Sequence, residues 1–588
     1  MNEAVASAFE DMARMLELLG ADRFRVAAHA RAARVLGELT RDATTLAREE
    51  LLEIEGIGAK TADKILEFAS TGAIAEHVEL RAQVPPGLLE ILKIPGLGPK
   101  TVSTMWKDLG ITDVAGLKQA IADGRLEGLP RMGAKTISNI KSSIEFMESG
   151  TQRLWLGLAL PLARRVVERM ERVPGVERAA FAGALRRGKE TVADIDVLIA
   201  CTDAERAVEA FTTLAEVVQV LSAGESRASV RARVGEGEDR WKELGGGTTI
   251  QIDLRALPPA SWGSALMYFT GSKDHNIAMR ERAQKLGFTL NDHGLFIDDG
   301  KPEPHKRGVA LACPAATEEG IFEHLGVAYL PPEIRESRGE LSLKETPRLI
   351  EVEDIRSELH AHTTESDGLL SLEDLVDEAR RRGMHTIAVT DHSKSQVQAR
   401  GLSPERLRAQ IVRIRALGDV GIRVLAGSEV DILADGRLDY DDDLLADLDL
   451  VVASPHAALS QDPVKATARL IRAIEHPRVR IIGHPTGRLI NRRNGLSPAM
   501  DEVLAAAKAH GVAMEVNAHW LRLDLRDTHV RAAVEAGVAI AIDCDVHSRG
   551  DFDNIVYGVM TARRGWLTPD LCVNAWDSAR LARWLART

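Results

Sequence analysis

The stretch His360-Ala361-His362-Thr363-Thr364-Glu365-Ser366-Asp367 places two histidines and an aspartate, all metal-binding residue types, within one short segment. Histidines on alternate positions of a strand point both imidazoles to the same face. Strand-then-helix units repeat after this segment, and further candidate ligands follow, mostly at predicted strand ends: His392, Glu429, His456, His484, Asp545 and His547. Because strand C-termini of a (β/α) barrel converge on one face, the pattern predicts a distorted (β/α) barrel over residues 356–588 in which these side chains meet.

This set resembles, element by element, the metal-binding residues of the PHP domain (polymerase and histidinol phosphatase). The resemblance implies a three-metal centre with nine ligands: His360, His362, Asp367, His392, Glu429, His456, His484, Asp545 and His547. His385 and Asp391 lie nearby but outside that set, and we expect them to be structural or to support the ligands. Arg488 is expected to touch a substrate phosphate, and His519-Trp520 stands where relatives carry Asn-Pro.

The ligand types also indicate a chemistry. Mixed imidazole and carboxylate ligands suit Mn²⁺, Zn²⁺ or Fe better than Mg²⁺ or Ca²⁺. Such metals lower the pKa of a bridging water, so that hydroxide forms near neutral pH, and they neutralise phosphate oxygens as charge develops. Any single histidine is more often structural than a ligand, so the prediction of a phosphoesterase centre depends on the complete set.

A second group of carboxylates lies upstream. The segments 193–199 and 249–255 alternate polar and apolar residues with a period of two, which predicts strands. Asp194 and Asp196 would then share one face, and Asp253 can join them from a neighbouring strand. Three convergent carboxylates repel one another unless divalent cations neutralise them. A pair of Mg²⁺ or Mn²⁺ ions for in-line phosphoryl transfer satisfies that requirement.

The surroundings of these carboxylates resemble the palm and thumb of family X DNA polymerases such as polymerase beta. The matching segments are Gly183–Thr191, Asp194–Asp196, Asp253–Arg255 and Tyr268–Ser272. The resemblance implies a nucleotidyltransferase palm in which Asp194 and Asp196 bind both metals and Asp253 helps to deprotonate the primer 3′-OH. It also implies contacts with the incoming nucleotide or the DNA for Arg187, Tyr268, Phe269, Gly271, Ser272, Asn276 and Arg280.

Two residues depart from the polymerase pattern. Ala184 stands where the family has a Ser whose hydroxyl binds the triphosphate, and Ala193 stands where a Gly usually precedes the first metal-binding Asp. A lost hydrogen bond to a charged group costs about 1.5–3 kcal/mol, or about one to two decades in nucleotide binding. We therefore expect polymerase activity to be weakened and not abolished.

The first 150 residues are helical in pattern and contain a repeated Gly-rich turn. Gly56-Ile57-Gly58-Ala59-Lys60-Thr61 recurs as Gly96-Leu97-Gly98-Pro99-Lys100-Thr101, and more weakly as residues 131–136. A Gly-x-Gly turn at a helix N-terminus lets backbone N–H groups approach a phosphate, and Lys60 and Lys100 add positive charge. The repeat predicts helix-hairpin-helix motifs that grip DNA without reading its sequence. A tight helix connection is the alternative for a single copy, and Arg131 indicates packing for the third.

The helix after the first hairpin, Thr61–Phe68, is similar to the lyase helix of polymerase beta. Lys64 falls on the lysine that forms a Schiff base with a 5′-deoxyribose phosphate, and His29 stands where that region has a Tyr. A solvated helix lysine is an equal alternative, since nothing in the sequence indicates the lowered pKa that nucleophilic attack requires.

Bulk properties limit the organisation and the location of the protein. A chain of 588 residues is too long for one core, and the predicted segments are 1–85 (lyase-like), 86–150 (second helix-hairpin-helix), 151–260 (palm), 261–330 (thumb), 331–355 (linker) and 356–588 (PHP). The net charge of −12 argues against a protein that coats DNA electrostatically. We find neither a bilayer-spanning apolar run nor a signal peptide, and the four cysteines are scattered. These features favour a cytoplasmic, nucleoid-associated protein, and family habit suggests a monomer.

Together the patterns predict a repair DNA polymerase that uses dNTPs on gapped, nicked or damaged DNA. Its PHP domain would supply 3′–5′ exonuclease activity, with AP-endonuclease or 3′-phosphatase activity as a further expectation. Three alternatives remain: a Mn²⁺-dependent nuclease with an inactive polymerase site, a small-molecule phosphoesterase of the histidinol-phosphatase kind, and a non-catalytic DNA-binding scaffold.

Overall fold

The computed structural model divides the chain into two compact units, Met1–Thr151 and Gln152–Thr588. It describes the following residues: 1–39, 41–92, 94, 97–127, 129, 132–133, 136–137, 140–141, 144, 153–235 and 248–586. Gly96 of the second hairpin and Arg131 of the third repeat lie outside the described residues.

The first unit consists of short helices packed around one apolar core. Apolar residues of the first helix recur every three to four positions, and Val5, Phe9, Met12 and Leu16 are all buried. Asp22 begins the second helix by accepting hydrogen bonds from the backbone N–H groups of the first turn. The described helices are α1 (Asn2–Leu19), α2 (Arg23–Glu38), α3 (Arg48–Glu53), α4 (Ala59–Thr71), α5 (Ala75–Gln83), α6 (Gly87–Ile91), α7 (Pro99–Leu109) and α8 (Val114–Ala122).

Both predicted Gly-rich turns precede the N-terminus of a helix. Gly58 is the N-cap of α4 and Gly98 is the N-cap of α7. Gly56 has a φ of 97°, which other residues rarely adopt, and a Cβ there would lie 3.0 Å from Val35 Cγ2. The turn therefore requires glycine for both its backbone conformation and its close contact with α2.

The palm is a mixed sheet with helices on its sides. Its strands are arranged in the order β2-β4-β7-β6-β5 over the described residues 153–235 and 248–257, and β4 and β7 pair in parallel. The strands are β1 (Leu154–Trp155), β2 (Val176–Phe181), β3 (Thr191–Val192), β4 (Asp194–Cys201), β5 (Val217–Ala223), β6 (Arg227–Arg233) and β7 (Thr249–Leu257). The helices are α9 (Leu156–Glu171), α10 (Gly183–Arg186) and α11 (Ala204–Thr212).

The thumb follows the palm, and its core also contains residues of the segment that the sequence predicts as a linker. Its elements are α12 (Trp262–Thr270), α13 (Lys273–Lys285), β8 (Phe288–Asn291), β9 (Gly294–Ile297) and α14 (Glu318–His324). Residues 331–355 contain three short 3₁₀ helices, and their Ile334 and Leu349 belong to the thumb core. Arg335 is fully buried and binds Glu318 at 2.6 Å, so ion pairs that have no periodic sequence signature hold this segment in place.

The C-terminal domain is a (β/α) barrel of parallel strands. Within residues 357–543, all of them described, seven strands pair in chain order from β10 to β16, and a parallel bridge between Ala361 and Val546 joins the first strand to the last. The strands are β10 (Ser357–Glu358), β11 (Thr386–Val389), β12 (Arg423–Asp431), β13 (Leu450–Ser454), β14 (Val479–Ile482), β15 (Ala513–Asn517) and β16 (Ile540–Asp543). The helices are α15 (Leu372–Arg381), α16 (Pro404–Arg415), α17 (Asp442–Ala446), α18 (Pro463–Ile474), α19 (Met500–His510), α20 (Asp527–Ala536), α21 (Ile555–Arg564) and α22 (Ser578–Leu585).

The barrel packs directly against the palm, and the unusual His519-Trp520 pair lies at this contact. Trp520 is buried in the palm core beside Trp155, with ring centroids 5.9 Å apart. A Cβ on Gly157 would come within 2.3 Å of Trp520 Cγ, so a glycine in α9 makes room for the indole. Among the helices of the described residues, none combines the length and apolar character that crossing a bilayer needs.

Candidate active sites

All nine predicted PHP ligands converge at the C-terminal ends of the barrel strands. They form four overlapping groups whose ligand atoms lie within 4.8 Å of one another. The groups are His362, Asp367, His392 and His547; His360, His362 and Asp545; His360, Glu429 and His484; and His392, Glu429 and His456.

Glu429 is the centre of the cluster. Its Oε1 lies 2.8 Å from His484 Nε2 and 3.2 Å from His456 Nε2. Its Oε2 lies 2.8 Å from His392 Nδ1. The carboxylate is fully buried, and the histidines around it outweigh burial to hold its pKa well below the usual range. Glu429 is therefore ionised, and it belongs to two of the four groups that would hold metal ions.

The donor atoms fit divalent cations. Among the described residues, fully buried cluster atoms without a hydrogen-bond partner include His360 Nε2 and His362 Nδ1. Burial and the neighbouring His547 and His392 lower the pKa of His362 to about 4, and burial beside Arg522 lowers that of His484 to about 3. Neutral imidazoles are the form that binds metal. Burial is instead outweighed by neighbouring carboxylates that raise the pKa of His360, His392, His456 and His547, so bound cations would take the place of those protons.

Side chains that the sequence analysis did not single out orient these ligands. His360 Nδ1 lies 2.6 Å from Glu515 Oε1, and His456 Nδ1 lies 2.5 Å from Asp431 Oδ1. Each carboxylate fixes the ring so that Nε2 points into the cluster. The sequence could have identified Asp431, because it lies two residues after Glu429 on the same strand and so shares its face.

The remaining predicted residues of this domain lie outside the cluster. Arg488 donates to Glu190 Oε2 of the palm at 2.7 Å and to the Leu523 carbonyl at 2.5 Å, so it contributes to the palm–PHP contact. His385 and Asp391 have structural positions, as expected. His385 lies 2.9 Å from the Trp576 carbonyl, and buried Asp391 accepts from the Thr363 backbone N–H at 2.8 Å.

The carboxylate triad of the palm is assembled by the parallel pairing of β4 and β7, which sets Asp196 directly beside Asp253. Burial raises the pKa of Asp196 to about 7, and the neighbouring charges of Asp194 and Asp253 add to this rise. Like charges held this close fit a site that divalent cations neutralise. Gly183, with a φ of 62°, is required here because a Cβ would lie 2.3 Å from Asp196 Oδ2. Asp253 also accepts hydrogen bonds from Ser229 and Gln251.

Among the predicted nucleotide and DNA contacts, Arg187 lies close enough to the triad to lower the pKa of Asp196 through its charge. Arg187 donates from Nε to Glu336 Oε1 at 3.0 Å and from a terminal nitrogen to the Thr270 carbonyl at 2.5 Å. The rings of Tyr268 and Phe269 meet edge to face at 5.2 Å.

The start of α13 holds the other predicted DNA contacts. Asn276 Nδ2 donates to the Tyr268 carbonyl at 2.6 Å. Gly271 has a φ of 70°, Ser272 caps α13, and Arg280 on α13 is exposed.

In the first unit, Lys64 is paired with an acid. Its Nζ lies 2.9 Å from Glu76 Oε2, and Arg25 and His29 approach the same carboxylate at 2.5 and 3.4 Å. Burial would raise the pKa of Glu76, but hydrogen bonds from Arg25 and Lys64 outweigh it and lower the pKa to about 2. The Lys64 ammonium is thus stabilised by an ionised partner.

Comparisons with known proteins agree with this arrangement. Residues 1–74 match a helix-hairpin-helix domain, 88–145 a SAM-like helix-hairpin-helix tandem, 265–336 the DNA polymerase beta thumb, and 358–519 the PHP domain. The DNA polymerase/3′-5′ exonuclease PolX of Bacillus subtilis is 34% identical over 569 residues, covering 96% of each chain. Rat DNA polymerase lambda is 25% identical over 57% of this chain and 56% of its own. A probable phosphatase of Thermoanaerobacter is 28% identical over 38% of this chain and 92% of its own.

The fold and the two sites define a class of enzyme, a family X DNA polymerase core joined to a C-terminal PHP domain. Identity across nearly the whole length of both chains is more specific: the protein belongs to the bacterial PolX family. The predicted family, fold class and enzyme class are confirmed, and the two domains imply the use of divalent metal ions.

Proposed function

We propose that this protein fills short gaps in DNA from dNTPs and trims 3′ ends with its PHP domain, as a monomer in DNA repair. The observation that carries the proposal is that a complete nine-residue ligand cluster and a complete carboxylate triad occur in one compact unit. The DNA substrates are gapped, nicked or damaged ends, gripped through the turns at Gly58 and Gly98. AP-endonuclease or 3′-phosphatase activity of the PHP centre belongs to the same proposal.

At the polymerase site, Asp194, Asp196 and Asp253 would hold Mg²⁺ or Mn²⁺, which supplies charge neutralisation at the transferred phosphate. Asp253 accepts the proton of the primer 3′-OH, and its hydrogen bonds with Ser229 and Gln251 fix its orientation. Arg187 binds the triphosphate. Tyr268 and Phe269 press against the sugar and exclude a 2′-OH, while Asn276 and Arg280 reach the nascent pair and the template.

At the PHP site, the nine ligands would hold Mn²⁺, Zn²⁺ or Fe, which supplies hydroxide near neutral pH. Glu515 and Asp431 orient the His360 and His456 rings. The boundaries 1–85, 86–150, 151–260, 261–330, 331–355 and 356–588 remain our proposed division of the chain.

The direct test follows an end-labelled primer on one-nucleotide-gapped DNA, with Mg²⁺ or Mn²⁺, with and without dNTPs. We expect extension with dNTPs and shortening without them. Only the Asp194→Ala/Asp253→Ala variant should lose primer extension. Only the His360→Ala/His362→Ala variant should lose primer shortening. Shortening without extension at any dNTP concentration would replace the proposal with the second candidate, a Mn²⁺-dependent nuclease.

That second candidate is favoured by one observation, the absence of a hydroxyl at Ala184 in α10. Ala184→Ser restores a donor for the triphosphate, so we expect the KM for dNTP to fall by about 10-fold with little change in kcat. Single-nucleotide insertion kinetics measure this effect. Ala182→Ser, a substitution of the same size next to Gly183, is the control. A Ser variant with unchanged KM would mean that the backbone alone binds the triphosphate here.

A lyase activity at Lys64 would require a free Nζ, and the contact with Glu76 holds that atom against α5. We therefore expect Glu76→Gln to increase borohydride trapping on DNA with a 5′-deoxyribose phosphate by about threefold or more. Lys64→Ala should abolish the trapped adduct, and Glu79→Gln is the matched control on α5. Trapping that survives Lys64→Ala would assign the Schiff base to another amine.

A further inference from the structure

The turn that carries Arg187 is held by a residue of the PHP domain. Arg564, at the end of α21, donates from one terminal nitrogen to the Arg187 carbonyl at 2.7 Å and to Glu336 Oε1 at 2.8 Å. Its other nitrogens bind Asp527 Oδ2 at 2.7 and 3.1 Å. Arg564 is 2% exposed, so this contact is an internal part of the unit that contains the palm, thumb and PHP domain.

Glu336 of the thumb segment links the same arginine to the Arg187 guanidinium. Its Oε1 accepts from Arg187 Nε at 3.0 Å and lies 3.6 Å from Lys189 Nζ. Burial raises the pKa of Glu336, but Arg564, Lys189 and Arg187 outweigh burial and lower it to about 2. Two ionised carboxylates, Glu336 and Asp527, therefore lie among three cations, Arg187, Lys189 and Arg564, which leaves positive charge beside the turn.

The turn touches the PHP domain at two further points. Gly188 packs against Met560 of α21, where a Cβ would lie 3.2 Å from Met560 Cβ. Glu190, at the other end of the turn, pairs with Arg488 at 2.7 Å. The turn between α10 and β3 is thus held on both sides by the barrel, and its conformation depends on that domain.

We propose that Arg564 is a positioning residue of the polymerase site, which holds the Arg187 turn in the conformation that receives the triphosphate. The inference rests on the proposed role of Arg187 in nucleotide binding. A residue held at both its backbone and its guanidinium loses less conformational freedom when the anion binds. Because Glu336 also lies beside Arg564 and Lys189, its single negative charge does not fully neutralise Arg187. The PHP domain then serves nucleotide binding in addition to end trimming.

The test compares Arg564→Ala with Arg563→Ala, a change at the preceding residue of the same helix. Arg563 pairs with Glu333 at 2.8 Å and donates to the Ile350 carbonyl at 3.0 Å. It therefore joins the PHP domain to the segment 331–355, which also contains Glu336. We expect Arg564→Ala to raise the KM for dNTP by about 10-fold or more with a smaller change in kcat, and Arg563→Ala to leave KM within about twofold. Exonuclease activity on single-stranded DNA should stay near the wild-type level in both variants.

A binding measurement, in which no nucleotide is incorporated, accompanies the kinetics. The equilibrium binding of a dNTP to the full-length protein on gapped DNA with a dideoxy-terminated primer should weaken by the same factor as KM rises. Arg564→Lys keeps the charge but cannot make all four hydrogen bonds together, so it should bind with intermediate affinity. It also decides the matter if Arg564→Ala fails to fold, because an active Lys variant with unchanged dNTP affinity would overturn the inference.

The remaining outcomes separate this inference from the proposed function. Wild-type dNTP affinity in Arg564→Ala with intact exonuclease would overturn the inference alone. An equal loss in Arg563→Ala would do the same, since it would reveal a general effect of the interface. Absence of dNTP binding by the wild-type protein, or an Arg187→Ala variant with unchanged affinity, would instead overturn the proposed function on which the inference rests.

Discussion

Replacing Glu429 with Gln is expected to lower the 3′–5′ exonuclease rate by at least about 10³-fold, because one side chain serves two of the four ligand groups. Gln keeps one oxygen, but its amide nitrogen has no lone pair for a metal, and the negative charge is lost. Nucleotide insertion should stay within about twofold, since the palm triad is a separate site. Digestion of end-labelled single-stranded DNA without dNTPs measures the first effect, and bound metal measured by mass spectrometry should fall in parallel.

Two other variants calibrate this result. Asp431→Asn weakens the support behind His456, along with the hydrogen bonds that Asp431 accepts from Ser395 and Gln396, and should cost about 10- to 100-fold. Glu405→Gln removes an exposed carboxylate from the first turn of α16 and should have no effect on the exonuclease. Chelation of wild-type protein should abolish digestion, and added Mn²⁺ should restore it. A Glu429→Gln variant that degrades DNA at the Asp431→Asn rate would contradict a bridging role for Glu429.

The prediction of the metal ligands rested on two kinds of information. The choice of these nine residues came from the resemblance to the PHP domain, whereas their convergence follows from the rule that strand ends meet on one face of a barrel. His360 and His362 lie just after β10, which ends at Glu358, and not on alternate positions of a strand as the sequence predicts. Strand alternation does place Asp194 and Asp196 on one face of β4.

Contacts set by tertiary packing could not be predicted in the same way. Glu515 lies 155 residues after His360 and supports its ring, and no local pattern links the two. Residues 331–355 lack periodicity because they are held by ion pairs such as Arg335–Glu318. Arg488 matched a signature for phosphate contact, yet its guanidinium pairs with Glu190 of the palm. Long-range charge pairing is therefore where sequence reasoning is weakest in this chain.

Asp196→Asn should lower single-nucleotide insertion by at least about 10³-fold and leave the exonuclease within about twofold. Asp196 lies beside Asp253 in the paired strands and shares a face with Asp194, so it is the member of the triad next to both others. Asn occupies the same space but carries no charge, and it offers one oxygen to a metal ion instead of two. Gap filling under single-turnover conditions with Mg²⁺ and with Mn²⁺ measures the loss.

A loss of folding would be recognised by a lower temperature of thermal unfolding, which is opposite to the change expected for this variant. The three carboxylates repel one another in metal-free buffer, so removing one charge should keep or raise the temperature of thermal unfolding. Glu205→Gln, an exposed carboxylate in the first turn of α11, is the matched change of charge and should alter neither stability nor insertion. Insertion that survives Asp196→Asn within about tenfold would mean that catalysis needs only Asp194 and Asp253. A variant that loses insertion and exonuclease activity together would instead indicate that the palm triad is needed for the fold of the whole unit. The two sites lie in one folded unit but have no ligand residue in common.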